Sequence, residues 1–386
     1  MARKISFNYI FMIFFFFSFV IDSGGPIGIR YLSIALSLSL FGILFFINKE
    51  NKLIIDKYAY NALCFFYLFI CFGFFSAILN GVDFNNTIYW LLPISFLLFF
   101  LIFMSYFDKH VIIDSYIYSM FLFALVIISF FIVSSILPSE VSYELLYFLD
   151  GKYGMFYMRN VENLPFVSHY PNIYFQATLS LVPAAIFAYI FDKKFIYYII
   201  LFSLGLALSR FGVFTVLLCV FILKYKIFNN KIILSILIFT MPIISSMFLY
   251  IYLYNYGFYT NEGTGISIRI GHLVSVFNSL DVKQLFYGMG PGSEYYTLGF
   301  NKIVDNIEVS QLEVIRKYGF IGFFIFNFSI ILFVFSILRK EKKYIYPLLS
   351  FYFVSFSNPT LLSFQFPILI VVSLIISNVV KREVHA

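Results

Sequence analysis

Apolar stretches of about 20 residues recur from one end of the chain to the other, each closed by a short polar break. A run of about 20 residues is long enough to cross a bilayer as a helix at about 1.5 Å per residue. The ten-residue alternation of an outer-membrane barrel is not seen. The pattern predicts an all-α, polytopic integral membrane protein, with residues 1–386 forming one transmembrane domain. The first stretch, Ile5 to Ile21, has a short basic front and is followed by DSGGPIGIR without a small-residue cleavage site. It is read as an uncleaved first helix.

The polar breaks fall into two groups. ARK (2–4), KENK (49–52) with Lys57, DKH (108–110), DKK (192–194), KYK (224–226) with Lys231, RKEKK (339–343) and KRE (381–383) are short and lysine-rich. The positive-inside rule assigns them to the cytoplasm. The breaks between them, at 22–30, 80–86, about 138–171, about 254–308 and 358–363, are assigned to the other side. The 138–171 and 254–308 breaks are the two larger periplasmic loops.

One run does not fit a single crossing. Residues 195–223 are apolar except for Arg210 and are flanked by DKK and KYK, both read as cytoplasmic. One crossing would place a lysine cluster outside, so the run is predicted to turn at Ser209-Arg210. Each limb then has about 14 residues, about 21 Å, which is short for a bilayer. The turn is expected below the outer surface in a protein-lined cavity, where irregular backbone is tolerated. The count becomes about twelve helices with both termini cytoplasmic.

Composition agrees with this picture. The chain is 62% hydrophobic and 12% charged, against about 25% charged in soluble domains, which excludes that class. Cys64, Cys71 and Cys219 all lie within apolar runs and read as small core residues, with neither disulfide nor metal-ligand spacing. The net charge of +7 reflects mainly the cytoplasmic lysines rather than a nucleic-acid partner.

Of the 26 basic residues, 17 fall inside. Nine fall outside: Arg30, Lys152, Arg159, Arg210, Arg269, Lys283, Lys302, Arg316 and Lys317. Five of these nine are arginine, against three of the 17 inside. The guanidinium fork suits phosphate and keeps its charge where hydration is poor. Outward arginines near membrane level therefore suggest a lipid-phosphate or pyrophosphate ligand, with snorkelling to headgroups as the alternative for Arg30.

The large loops hold the remaining candidates. In 138–171, Arg159 and His169 are the notable polar groups. His169 is a candidate for binding a sugar hydroxyl or moving a proton, and a solvated cap on the bundle is the alternative. In 254–308, ISIRIGHLVSVF (266–277) predicts an amphipathic helix. Its polar stripe is Arg269, His272 and Ser275, and it could lie in the membrane interface. YGMGPG (287–292) lacks the Gly-Lys-Ser/Thr of a P-loop and reads as a tight turn, with a backbone anion nest as the alternative. Asp305 and Glu308 precede the next helix. Capping accounts for Asp305, which is also a candidate substrate contact. Glu308 is placed to act as a general base on a sugar hydroxyl within hydrogen-bond reach.

Several short motifs occur in a telling order: GGPIGIRYL (24–32), LSRF (208–211), SIRIGHL (267–273), GMG (288–290), and Glu308 leading to x-K-Y-G-x-x-G, which ends at Gly322. This arrangement resembles the O-antigen polymerase (Wzy) family, within the O-antigen ligase-like superfamily, over nearly the whole chain. The ligase branch carries a histidine eleven residues before the first glycine of the last motif. Here that position, counted back from Gly319, is Glu308, so the chain departs from the ligase pattern and is closer to the polymerases.

The resemblance implies a GT-C-like polytopic enzyme of the bacterial inner membrane. The donor would be a growing glycan on undecaprenyl pyrophosphate, and the acceptor a lipid-linked repeat unit. It also implies a chain-length regulator as partner, and needs no cofactor or metal. Glu308 would activate the acceptor hydroxyl, and Arg210 and Arg269, with Arg30, would hold the pyrophosphate. The chain contains no Asp-x-Asp pair and no long cytoplasmic stretch, which argues against a metal- and nucleotide-sugar-dependent transferase. Competing expectations are an O-antigen ligase, a flippase for lipid-linked oligosaccharides and a non-catalytic scaffold. The absence of an internal repeat weighs against the flippase.

Overall fold

The computed structural model describes residues 7–23, 27–47, 52–137, 140–141, 144, 156–161, 170–225, 265–307, 309–356 and 360–383. The protein is mostly helical. The first helices are α1 (Phe7–Ile21), α2 (Ile29–Ile47), α3 (Lys57–Leu79), α4 (Phe84–Ser95), α5 (Leu97–Met104) and α6 (Lys109–Ile136). They are followed by α7 (Leu181–Ile190), α8 (Lys194–Leu206), α9 (Arg210–Tyr225), α10 (Gly265–Ser279), α11 (Val282–Tyr287), α12 (Ser310–Lys340), α13 (Ile345–Val354) and α14 (Gln365–Ile376). Among the described residues, five helical segments are long and apolar enough to cross a membrane: α2, α3, α4 with α5, α6 and α12. The apolar run near 232–253 lies outside the described residues.

The expectation of helices alone needs one correction. Among the described residues, six short strands form three antiparallel pairs: β1 (Lys52–Ile55) with β6 (Val380–Glu383), β2 (Phe156–Val161) with β3 (Tyr170–Phe175), and β4 (Tyr295–Thr297) with β5 (Lys302–Val304). All lie in the polar breaks, where backbone groups outside helices find partners across the break.

Acidic residues in the breaks begin the long helices. The carboxylates of Asp56, Asp83 and Asp108 accept from backbone N–H groups in the first turns of α3, α4 and α6. The predicted turn within 195–223 is present. α8 and α9 have 13 and 16 residues, and Leu208 takes φ 50° between them. Inside the bundle, aromatic packing dominates. Phe15 and Phe19 of α1 lie 5.7 and 5.5 Å from Phe100 of α5, and Tyr318 of α12 lies 4.2 Å from Phe69 of α3. Buried serines such as Ser18, Ser119 and Ser329 donate to carbonyls one turn back, so they sit in apolar surroundings without stranded donors. Many large apolar side chains on the helices remain exposed, among them Phe45, Phe75, Phe195 and Phe221. A lipid-facing surface accounts for them. Cys64 and Cys71 are also exposed, against the expectation of core cysteines, because they occupy the outward side of α3. Cys219 is buried.

The two groups of breaks gather at opposite ends. At the lysine-rich end, β1 pairs with β6, Asp56 N–H donates to Val379 O, and Ser336 Oγ donates to Asp56 Oδ1. Lys109 reaches Asn378, and Phe191 stacks on Tyr344. At the other end, Asn80 donates to Gly288 O, Thr87 donates to Pro291 O, and Thr360 N–H donates to Ser310 Oγ. The cavity described next lies at this second end.

Candidate functional site

Local backbone chemistry places Arg30. The buried carboxylate of Asp22 accepts from the N–H groups of Ile27 (3.0 Å) and Arg30 (3.2 Å), which fixes the chain entering α2. The Arg30 side chain turns inward and is 6% exposed. Its guanidinium donates to Ser23 O (2.5 Å) and Tyr31 Oη (2.7 Å) and lies 4.8 and 5.1 Å from the rings of Tyr31 and Phe364. Among the described residues its Nε has no hydrogen-bond partner.

Glu313, Arg316 and Lys317 follow at i, i+3 and i+4 on the first turns of α12, and all three are fully buried or nearly so. Arg316 donates from Nε and from one terminal nitrogen to the two carboxylate oxygens of Glu313, at 2.9 and 2.8 Å. Its remaining donors go to Ser293 O, Ser293 Oγ and Asp305 O. The guanidinium also lies 4.5 Å from the centre of the Tyr295 ring. Lys317 Nζ is 2.7 Å from Glu313 Oε1 and 3.1 Å from the centre of the Trp90 ring. The network ties α12 to the segment before it and to α4.

A break in α12 holds that network in place. Gly319 adopts φ 64°, ψ −176° inside the helix, a region open essentially only to glycine. The carbonyls of Arg316 and Lys317 accept instead from the N–H groups of Met289 (2.8 Å) and Gly290 (3.0 Å). The GMG motif is therefore a turn docked on the broken helix. Two of its N–H groups are occupied by these carbonyls, so the anion-nest alternative does not hold.

Between these parts lies a cavity of about 170 Å³. Arg30, Trp90, Gln176, Asn306, Ser310 and Glu313 contribute to its walls, with Tyr31, Tyr89 and Phe364 adding aromatic surface. Three cations (Arg30, Arg316, Lys317) stand at or behind its wall with the buried carboxylates of Asp22 and Glu313, and the exposed Asp305 carboxylate also acts on Arg316 and Lys317, so Arg30 is the cation that the cavity itself presents. An aromatic pocket with a few convergent polar groups is the usual form of a small-ligand site.

The structure sorts the candidates read from sequence. Arg30 lines the cavity. Arg210 heads α9 as predicted, but its side chain is exposed and is not part of this cavity wall. A helix start at the surface turns its first side chain outward. Asp305 does not cap α12, whose N-cap is Val309. Its carbonyl serves Arg316 while its side chain is exposed. Arg159 lies in β2, paired with Asn172. His169 and Glu308 lie outside the described residues. Glu313 was not singled out from sequence, although its i, i+3, i+4 spacing to two cations was a signal.

The predicted helix 266–277 is α10, but its polar stripe does not face outward. His272 and Ser275 are buried against the β4–β5 hairpin. His272 Nδ1 is 2.7 Å from Thr297 Oγ1, the ring lies 4.5 Å from Phe300, and Ser275 Oγ accepts from Leu298 N–H. Arg269 is half-buried on the same helix. The hairpin needs hydrogen-bond partners and the stripe supplies them. Burial depresses the His272 pKa to about 4, with Glu313 opposing and Arg269 reinforcing the shift. The fold therefore favours neutral imidazole, whereas an unfolded chain protonates near the ordinary value of 6.5. This contribution is complete above about pH 6.5 and is lost as pH falls toward 4, at up to about 1.4 kcal/mol per pH unit. Thermal midpoints between pH 7 and 4.5 should fall more steeply for the natural protein than for His272→Gln. Parallel slopes would contradict the assignment.

Comparison with protein-family models, with curated proteins and with solved structures found no match.

Proposed function

We propose that this protein is a polysaccharide polymerase that joins lipid-linked glycans at the outer face of a bacterial inner membrane. The observation that carries the reading is the cavity at the end opposite the lysine-rich breaks. It combines the buried Arg30, a guanidinium N–H without an acceptor among the described residues, and an aromatic wall. In this account the bundle has about twelve membrane helices in a GT-C-like arrangement, the lysine-rich end is cytoplasmic, and so are both termini.

The chemistry follows from the groups required. An acceptor sugar hydroxyl attacks the anomeric carbon of the donor glycan. The new glycosidic C–O bond forms, the C–O bond to undecaprenyl pyrophosphate breaks, and the hydroxyl proton passes to a base. Cations stabilise the departing pyrophosphate. Arg30, which lines the cavity, takes that role in this account. Arg210 and Arg269, which are not among the lining residues, are assigned to the pyrophosphate from the sequence resemblance. Glu308 is the base, and its sequence neighbours Asn306 and Ser310 both line the cavity. Glu313 is held by two cations, so its part is to orient Arg316 and Lys317.

The test is reconstitution. Purified protein in vesicles, supplied only with undecaprenyl-pyrophosphate-linked repeat units, should produce longer lipid-linked glycans without nucleotide sugar. Arg210→Lys and Arg210→Ala should both be impaired, because a point charge does not reproduce the guanidinium fork. Unchanged chain length with the natural protein would remove the polymerase reading. Transfer only to a lipid A-core acceptor would favour the ligase, and movement of the lipid across the vesicle without elongation the flippase.

A further inference from the structure

Two features of the cavity go beyond what glycosyl transfer requires. Trp90 is the chain's single tryptophan, half-buried and part of the cavity wall. Lys317 covers one side of its indole, with Nζ 3.1 Å from the ring centre, and is itself fully buried outside the cavity lining. Glu313 anchors that ammonium at 2.7 Å. A cation fixed against one face holds the indole plane and leaves the rest of the ring to the cavity.

The second feature is Arg30. Its two terminal nitrogens are engaged by Ser23 and Tyr31, and the buried Nε has no acceptor among the described residues. A buried guanidinium with an unmet donor is costly, and the side chain lines the cavity, so an anion bound there would meet its charge. Among the described lining residues Glu313 is the only acidic side chain, and both its oxygens are already paired. The cavity therefore offers an aromatic surface beside a buried cation.

We propose that Trp90 is the stacking platform of a glycosyl-phosphate subsite, held in position by Lys317, with Arg30 taking the phosphate attached to the stacked sugar. This rests on the glycan-transfer reading for the identity of the ligand. Within it, Trp90 determines that a sugar ring, and not only a pyrophosphate, is recognised at this depth. Lys317 acts through Trp90 and is a positioning residue.

A single tryptophan makes the test direct. The full-length protein in detergent is titrated with the 1-phosphates of glucose, galactose and N-acetylglucosamine while Trp90 emission is followed. Free sugars and inorganic pyrophosphate serve as controls. At least one glycosyl phosphate should change the emission saturably, and by more than inorganic pyrophosphate does. Arg30→Lys, and Arg30→Ala where it elutes as the natural protein does, should bind about tenfold more weakly, the loss of one charge-assisted contact. Lys317→Met should shift the starting emission and weaken the response, and Lys317→Arg should restore both. Emission unmoved by all three glycosyl phosphates, or moved equally by inorganic pyrophosphate, would overturn the proposal. Binding is read on isolated protein, so that failure leaves the polymerase reading standing. Loss of the polymerase reading would come from the glycan products instead.

Discussion

Glu313→Ala should lower the stability of the folded protein by about 3–5 kcal/mol, the usual cost of removing one partner from a buried ion pair. The carboxylate sits between Arg316 and Lys317, and none of the three has more than marginal contact with solvent. Without it, two cations remain buried next to each other with a single network of neutral acceptors. Arg316 keeps Ser293 and Asp305 O, but Lys317 is left with the Trp90 face. Glu313→Gln keeps the shape and loses the charge, so it should be nearly as damaging. Replacing all three residues by apolar side chains of similar volume should recover much of the loss, because the desolvation cost leaves with the charges. Thermal unfolding of detergent-purified variants measures this. A loss below about 1 kcal/mol for Glu313→Ala, the range of an exposed pair, would show that the network is hydrated.

Gly319→Ala should cost about as much, by a different route. A Cβ at this position would lie 2.2 Å from Phe286 O and 2.6 Å from Gly288 N. The backbone conformation adds about 1–3 kcal/mol of strain for any residue with a side chain. The clash falls on main-chain atoms, so a rotamer change cannot relieve it. The docked turn would have to separate from α12, and the hydrogen bonds from Met289 and Gly290 would go with it. Gly42→Ala is the control. A Cβ there meets nothing within 4 Å, and it lies inside α2, so it should be neutral or stabilising by up to about 1 kcal/mol. Equal thermal midpoints for the two variants would contradict the docked-turn description.

Some of this architecture was legible because it depends on neighbours in sequence. The turn ahead of Arg210 follows from two lysine clusters flanking one apolar run. The caps at Asp56, Asp83 and Asp108 were not read from the sequence and come from the structure. α10 was legible from its spacing. Its facing was not, because a polar stripe looks the same whether it meets water or a hairpin, and the hairpin that buries His272 is built from residues 295–304.

The cavity was only partly legible. Arg30 stood out as an arginine heading a helix on the outward side. Glu313 did not, since an acid three and four positions before two cations reads equally as an exposed helix pair. What buries it is Trp90 from α4 and the loop carrying Ser293, neither of them near in sequence. The GMG turn was visible as a glycine signal, whereas Gly319 was read only as part of a motif and its break in α12 comes from the structure. That they answer one another through two hydrogen bonds is a tertiary fact.

The central claim is that this protein lengthens a surface polysaccharide from lipid-linked units. The most direct test deletes the gene in its host and separates the surface lipopolysaccharide on a gel. The account predicts that the ladder of long chains disappears while a band of core plus one repeat unit remains, and that the natural gene restores the ladder. Loss of even the single-repeat band would contradict it and place the defect at ligation or flipping. An unchanged ladder would contradict any role in this polymer.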